Sequence, residues 1–217
     1  EAKLRPIRIP IDKGLIGWRV LLVREAQLPL FHNAGLELLR QLIGGQGHDW
    51  PDLQILSDNG FKVMPSSDYE ALFGLLAKDR IQYFPRSVNE VMDEWRSHPD
   101  MQLAIEPSLL LHYPAAIYFF VHPDNELLAQ TLEKGLERAL ANGKFDALFN
   151  QVHGPVLGEL NIGQRRIIHL DNPLLPAATP LARKALWLQP EQLGGVVAKA
   201  EPTQTKSMID AEPAVAR

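Results

Sequence analysis

Between residues 42 and 105 the chain alternates short apolar runs with longer segments whose apolar positions repeat at helical spacing. The runs cover residues 42–45, 61–64, 81–84 and 101–105, short enough for strands and too short for independent helices. Residues 51–59, 68–78 and 88–97 lie between them. In the second of these Tyr69, Leu72, Phe73 and Leu76 fall at i, i+3, i+4 and i+7, and in the third Val88, Val91, Met92 and Trp95 repeat the spacing. Each therefore carries one apolar stripe that a sheet must cover.

The helix starts are marked as well. Ser67 with Glu70, and Ser87 with Glu90, fit the capping-box pattern, so loss of either serine is expected to cost roughly 1 kcal/mol. The first helix is expected to start after Trp50, with Pro51 at its first position, and to stop at Asn59-Gly60. Strand order is not readable from one sequence, but crossovers of this length favour parallel neighbours and right-handed connections. The fold class is α/β, doubly wound.

Outside this unit, residues 5–24 read as an extended segment ending in the apolar strand 18–23. Residues 109–111 are apolar, 116–121 form a second strong strand, 125–142 a long amphipathic helix and 144–152 a shorter one. Strands 18–23 and 116–121 flank the α/β unit in sequence, which suggests two connections to a second body. From Gly154 on periodicity fades: residues 171–176 and 179–180 read as an extended surface segment, and 199–217 as a polar tail. There is no internal repeat.

Composition then narrows the function. The chain has 217 residues, 46% hydrophobic and 22% charged, enough for one large core or two modest ones. A net charge of -4 and the lack of a basic run exclude nucleic acid as an expected partner. No stretch is long and apolar enough to span a membrane. With no cysteine there is no disulfide, cysteine zinc site or thiol nucleophile. The chain begins with Glu1 and shows no signal peptide, so either it is processed or part of the protein is missing.

Several segments resemble, in order, the type 2 periplasmic solute-binding proteins, in particular the family 3 group serving polar amino acid uptake. Arg8-Ile9-Pro10-Ile11-Asp12-Lys13-Gly14-Leu15-Ile16-Gly17 followed by Arg19-Val20-Leu21-Leu22-Val23-Arg24 is similar to the strand leaving that family's lobe 1. Residues 39–47 resemble the opening of its lobe 2. Asp68-Tyr69-Glu70-Ala71-Leu72 with Leu75-Leu76-Ala77-Lys78-Asp79-Arg80-Ile81, and Gly135-Leu136, Ala139-Leu140, Asn142-Gly143 and Phe145-Asp146, resemble later family signatures. The resemblance covers about residues 5–154. It implies two α/β lobes joined by two strands, with lobe 1 incomplete: residues 1–24 as part of lobe 1 and a connecting strand, 25–115 as lobe 2, 116–190 as the return strand and C-terminal part of lobe 1, and 191–217 as a tail. It also implies a periplasmic location and a membrane permease or sensor protein as partner. Asp79-Arg80-Ile81-Gln82 and Gln46-Gly47-His48-Asp49-Trp50 depart from the family pattern, which puts a standard α-amino acid pocket in question.

Physical reasoning locates a site without the resemblance. In open α/β sheets ligands settle beyond the carboxyl ends of strands, near helix N-termini. That rule selects Gln46, Gly47, His48, Asp49 and Trp50 in one turn, Ser66 and Ser67 in the next, and Tyr83, Arg86 and Ser87 in the third. Arg86 has two readings, a bidentate grip on a carboxylate or a structurally paired cation. Trp50, Tyr83 and Phe84 offer an apolar wall or simply core. His48 and Asp49 are adjacent and have no nucleophile in an elbow, and the scattered histidines form no metal motif, so neither an enzyme, a metal site nor a cofactor is expected. The expected function is non-catalytic capture of a small polar or anionic solute, with lobe closure about a hinge near Arg19 and Ile117. The alternative is a sensor or protein-interaction scaffold on the same fold, and a truncated chain would favour a dimer.

Overall fold

A computed structural model describes residues 3–189. In chain order its regular elements are β1 (Arg5–Ile7), β2 (Trp18–Arg24), α1 (Leu28–Phe31), α2 (Leu36–Gln41), β3 (Ile43–Gly47), α3 (Pro51–Asp58), β4 (Lys62–Ser66), α4 (Tyr69–Ala77), β5 (Phe84–Ser87), α5 (Val91–Ser97), β6 (Leu103–Ile105), β7 (Leu109–His112), β8 (Phe119–Val121), α6 (Glu126–Ala141), α7 (Lys144–Glu159) and β9 (Arg166–His169). The alternation expected for residues 42–105 is present, and tertiary pairing shifts most of its boundaries. The strand placed at 81–84 pairs mainly over Phe84–Ser87, and only the last three residues of 116–121 are in a ladder.

The main body is a sheet in the order β4-β3-β5-β2-β7-β9. β4 pairs β3 in parallel, and β3 joins β5 through a parallel bridge from Gly44 to Tyr83 and the Gly45 N–H to the Tyr83 carbonyl at 2.9 Å. β2 runs antiparallel to β5, β6 and β7, while β9 is parallel to β7. Within that order β2 alone runs against the rest. The carboxyl ends of β3, β4, β5, β7 and β9 therefore meet the start of β2 along one edge.

Period-two alternation sorts the core into two layers. Trp18, Val20 and Leu22 of β2 face α4, α5 and α7 through Leu72, Phe73, Val91, Phe149 and Leu157. Leu21 and Val23 face the other way, against Phe31, Leu39, Ile55 and Leu56 of α1, α2 and α3. A sheet covered on both faces needs near-continuous apolar strands, which is why β2 is buried from Trp18 through Val23.

Residues 18–24, expected as a connecting strand, lie in the middle of the main sheet. The connection to the small body lies further out, where residues 8–17 and 113–118 run side by side and the Ile11 N–H donates to the Ile117 carbonyl at 3.0 Å. Gly17 lies so close to this crossing that a Cβ there would sit 2.1 Å from the Tyr113 carbonyl oxygen. The small body is the antiparallel pair β1–β8 with α6, sharing Ile7, Val121 and Ala129. Phe119 and Phe120 of β8 remain partly exposed.

Residues 116–190 contribute elements to both bodies. α7 continues through Pro155 to Glu159, and β9 returns to the main sheet where fading periodicity predicted no element. The expected tail at 191–217 lies outside the described residues. The capping boxes are also corrected. Asp68, not Ser67, caps α4 by accepting from the Ala71 N–H at 3.2 Å, and no side chain caps α5.

Candidate functional site

Two charged clusters stand side by side at the strand-end edge. The first is centred on Arg86, which leaves β5 on the same face as Phe84. Its guanidinium carbon lies 4.8 Å from the Trp50 ring centroid, 4.9 Å from Phe84 and 5.7 Å from Tyr69. Trp50 and Phe84 are themselves stacked, with 15° between their planes. Each such cation–π contact is worth about 0.5–2 kcal/mol, the larger values applying where water is excluded.

Carboxylates at the start of α5 and within it, Glu90 and Glu94, complete this cluster. Arg86 Nε donates to Glu94 Oε2 at 2.7 Å, and Nη2 donates to Glu90 Oε2 at 3.0 Å and also to Glu94 Oε1. Tyr69 donates its hydroxyl to Glu94 Oε1 at 2.8 Å. None of the three guanidinium bonds uses Nη1. Burial works against the Arg86 charge, but Glu94 and Glu90 outweigh it and hold the group above its ordinary pKa. Burial, followed by the bond to Glu94, pushes the Tyr69 phenol up.

The second cluster joins β2, α3 and Tyr113, the residue after β7. Arg19 Nε donates to the Tyr113 hydroxyl at 2.8 Å, and Arg19 Nη2 pairs with Asp52 Oδ1 at 2.9 Å. Tyr113 in turn donates to the same Asp52 oxygen. Asp52 is placed by Trp50 and Pro51, which start α3 directly after the β3 turn. Glu90 links the clusters, its Oε2 lying 3.7 Å from Arg19 Nη1. Two guanidinium groups thus face three carboxylates, leaving one negative charge in excess.

The expected site residues divide by position. Trp50, Ser66 and Arg86 share this edge: Trp50 covers Arg86, and Ser66 sits at the end of β4, where its carbonyl accepts from the His48 N–H at 2.9 Å. Gly47 lies under the Trp50 ring, where a Cβ would come within 2.5 Å of it. His48, Asp49 and Ser67 are exposed around it, and Ser66 Oγ donates to the Asp68 carbonyl. Ser87 is fully buried, its hydroxyl accepting from the Asn89 N–H at 3.4 Å. Gln46 is buried too, donating to the Pro85 carbonyl at 3.3 Å, with no partner for its Oε1.

Tyr83 does not join them. It lies in the opposite core layer, fully buried, and its hydroxyl donates to the Leu39 carbonyl at 3.0 Å. The one-residue offset from Phe84 sends it to the other face of the sheet. Glu70 and Glu90, read as caps, are instead partners of His98 and Arg86. Arg19, Asp52, Tyr113 and Glu94 escaped the sequence reading, since their partners are far apart in the chain or one strand–helix junction away.

Further along the same edge, His112 stacks on Trp18 at 4.0 Å between centroids. Burial, and then neighbouring His169, bring the His112 pKa down to about 3. Burial also lowers that of His169.

No protein-family model and no curated protein matches this chain. Among solved structures, the GluR0 ligand-binding core in complex with L-glutamate is similar with a TM-score of 0.50 at 16% identity, over 70% of this chain and 64% of that one. A periplasmic binding protein of Salmonella typhimurium described for its high arginine specificity gives 0.48 at 17% identity, over 68% and 63%. The L-cystine solute receptor of Neisseria gonorrhoeae, in its unliganded open conformation, gives 0.44 at 14%, over 70% and 61%. The chain spans less than two thirds of each of these structures. The likeness to the first establishes the fold, that of the type 2 periplasmic binding proteins. No helix among the described residues is long and apolar enough to cross a membrane.

Proposed function

We propose that this chain binds a small polar or anionic solute of amino-acid type, without converting it, at the strand-end edge bearing Trp50, Tyr69, Arg86, Glu90 and Glu94. The observation that carries the reading is the convergence of two half-open aromatic rings on a buried guanidinium whose carboxylate partners come from one helix. A zwitterion suits such a cluster: its carboxylate competes for Arg86, and its ammonium takes up the carboxylate charge released. Glu90 is the more exposed of the two partners and the easier to displace. The paired segments 8–17 and 113–118 then act as the hinge, and the solute shifts the population towards closure because only the closed form offers contacts from both bodies. The same proposal extends to an extracytoplasmic role in uptake with a membrane permease as partner, a reading supported by the resemblance of the sequence to the family 3 solute-binding proteins.

Calorimetry against a panel of amino acids and organic acids tests this. The wild type is expected to give saturable heat with at least one solute. Gly47→Ala, which displaces the Trp50 ring while removing no polar group, is expected to weaken it, and Arg86→Ala to weaken or abolish it. Circular dichroism checks that both variants fold. Equal binding by Arg86→Ala removes that residue from the site, and no saturable heat from the wild type refutes the reading. A second reading, a scaffold or sensor without a solute, is favoured by the saturation of Arg86 by the chain's own carboxylates. A stable protein complex without solute heat would support it.

A further inference from the structure

Parallel pairing of β7 with β9 sets His112 directly opposite His169. Registered partners on neighbouring strands project to the same face of a sheet, so the imidazoles meet there. Their Nδ1 atoms face each other at 3.2 Å. Two imidazole nitrogens bound to one metal at about 2.0–2.1 Å, with a 3.2 Å separation, subtend an angle of about 100° at the ion, close to tetrahedral. The ring of His112 is fixed by its stack on Trp18, so the geometry costs little ordering on that side.

We propose that His112 and His169 form a site for a borderline divalent transition metal, Zn2+ or Ni2+, held through both Nδ1 atoms at the end of β7 and β9. Imidazole is a preferred donor for these ions. Solvent reaches the pair through His169, which is exposed, and the two rings border two cavities. One, of about 230 Å³, is lined by Lys13, Trp18 and Trp187, and the other, of about 420 Å³, by Asp171 and Asn172. The Asp171 carboxylate favours a cation on its side, and the opposing charge of Lys13 is taken up by Asp146 at 2.6 Å. No third histidine, cysteine or carboxylate is grouped with the pair among the described residues, so the remaining coordination positions go to water or to a donor atom of a small molecule. This assignment stands apart from the solute reading, which uses other residues.

The test is calorimetry of the full chain, freed of any affinity tag, with ZnCl2 and with NiCl2, alongside histidine 15N NMR. The expected result is one saturable site that shifts the Nδ1 resonances of two histidines. His169→Ala, at the more open position, should weaken it at least about tenfold, by analogy with the losses seen when metal-site support is removed. His122→Ala, in an exposed pair with Asp124, should leave it unchanged. His112→Phe, which keeps a ring against Trp18, should weaken it as His169→Ala does. Binding that survives both substitutions, or heat that follows His122, overturns the proposal, as does a wild type that takes up neither metal.

Discussion

Replacing Asp52 with alanine tests whether the cluster at the start of β2 is a buried charge network. Asp52 accepts from Arg19 at 2.9 Å and from Tyr113, and the Arg19 and Asp52 side chains are 7% and 11% exposed. Removing one partner of a buried pair costs about 3–5 kcal/mol, because the other charge is left without compensation. Glu90 softens that, since its carboxylate already lies 3.7 Å from Arg19 Nη1, but at 43% exposure it is well hydrated and weaker. The expected cost is therefore at the lower end, about 3 kcal/mol, or roughly 6–12 °C in Tm for a chain of this length. Asp52→Asn keeps the shape and an acceptor oxygen and should cost about half as much, near the worth of one charge-assisted hydrogen bond. Urea unfolding gives both values. A cost below about 1 kcal/mol for Asp52→Ala, the range of exposed ion pairs, would refute the argument that Arg19 depends on this carboxylate.

Two further outcomes follow from the same edge. His112 titrates at about 3 in the fold against 6.5 when unfolded, so its neutral form contributes stability that is complete above pH 6.5 and is lost as pH falls from there towards 3; urea midpoints across that window should show a destabilising slope approaching about 1.4 kcal/mol per pH unit, largely absent in His112→Phe. Gly17→Ala drives a Cβ against the Tyr113 carbonyl and should cost about 3 kcal/mol or more in the same measurement, since backbone, unlike a flexible side chain, has nowhere to give.

Local chemistry was the legible part of this fold. The alternation of β3, α3, β4, α4, β5 and α5 shows in the sequence because each element carries its own periodic stripe and its own turn. The last turns of α7, beyond the expected 144–152, did not, because Pro155 and two nearby glycines read as a stop, whereas Leu157 and Leu160 bury enough surface on the main sheet to carry the helix past them. β9 was invisible for another reason. It is four residues long, and its partner β7 lies more than fifty residues earlier, so nothing local specifies it. The central place of β2 was not legible, because a strongly apolar strand looks the same whether it joins two bodies or lies at the centre of one.

The candidate site divides along the same line. Arg86 was legible as a cation beside a helix start, and Trp50 as the aromatic at a strand end. Glu90, one helical turn from Arg86 in sequence, could be read equally as a cap, and only the direction of α5 off β5 turns it and Glu94 towards the guanidinium. Arg19, Asp52 and Tyr113 come from three elements and meet only once the sheet is assembled.

The return of β9 matters to how this molecule avoids sticking to others. Without it, Leu109, Leu110 and Leu111 would form the margin of the sheet, an apolar ladder ready to recruit a stranger's backbone. β9 substitutes a short margin with Arg166 and His169 partly exposed on it, and the opposite margin, β4, bears exposed Lys62 and a Pro65 that has no N–H to offer. Both rims of the main sheet are thus poor templates for strand addition, which leaves the small pair β1–β8, with its open phenylalanines, as the less guarded part of the surface.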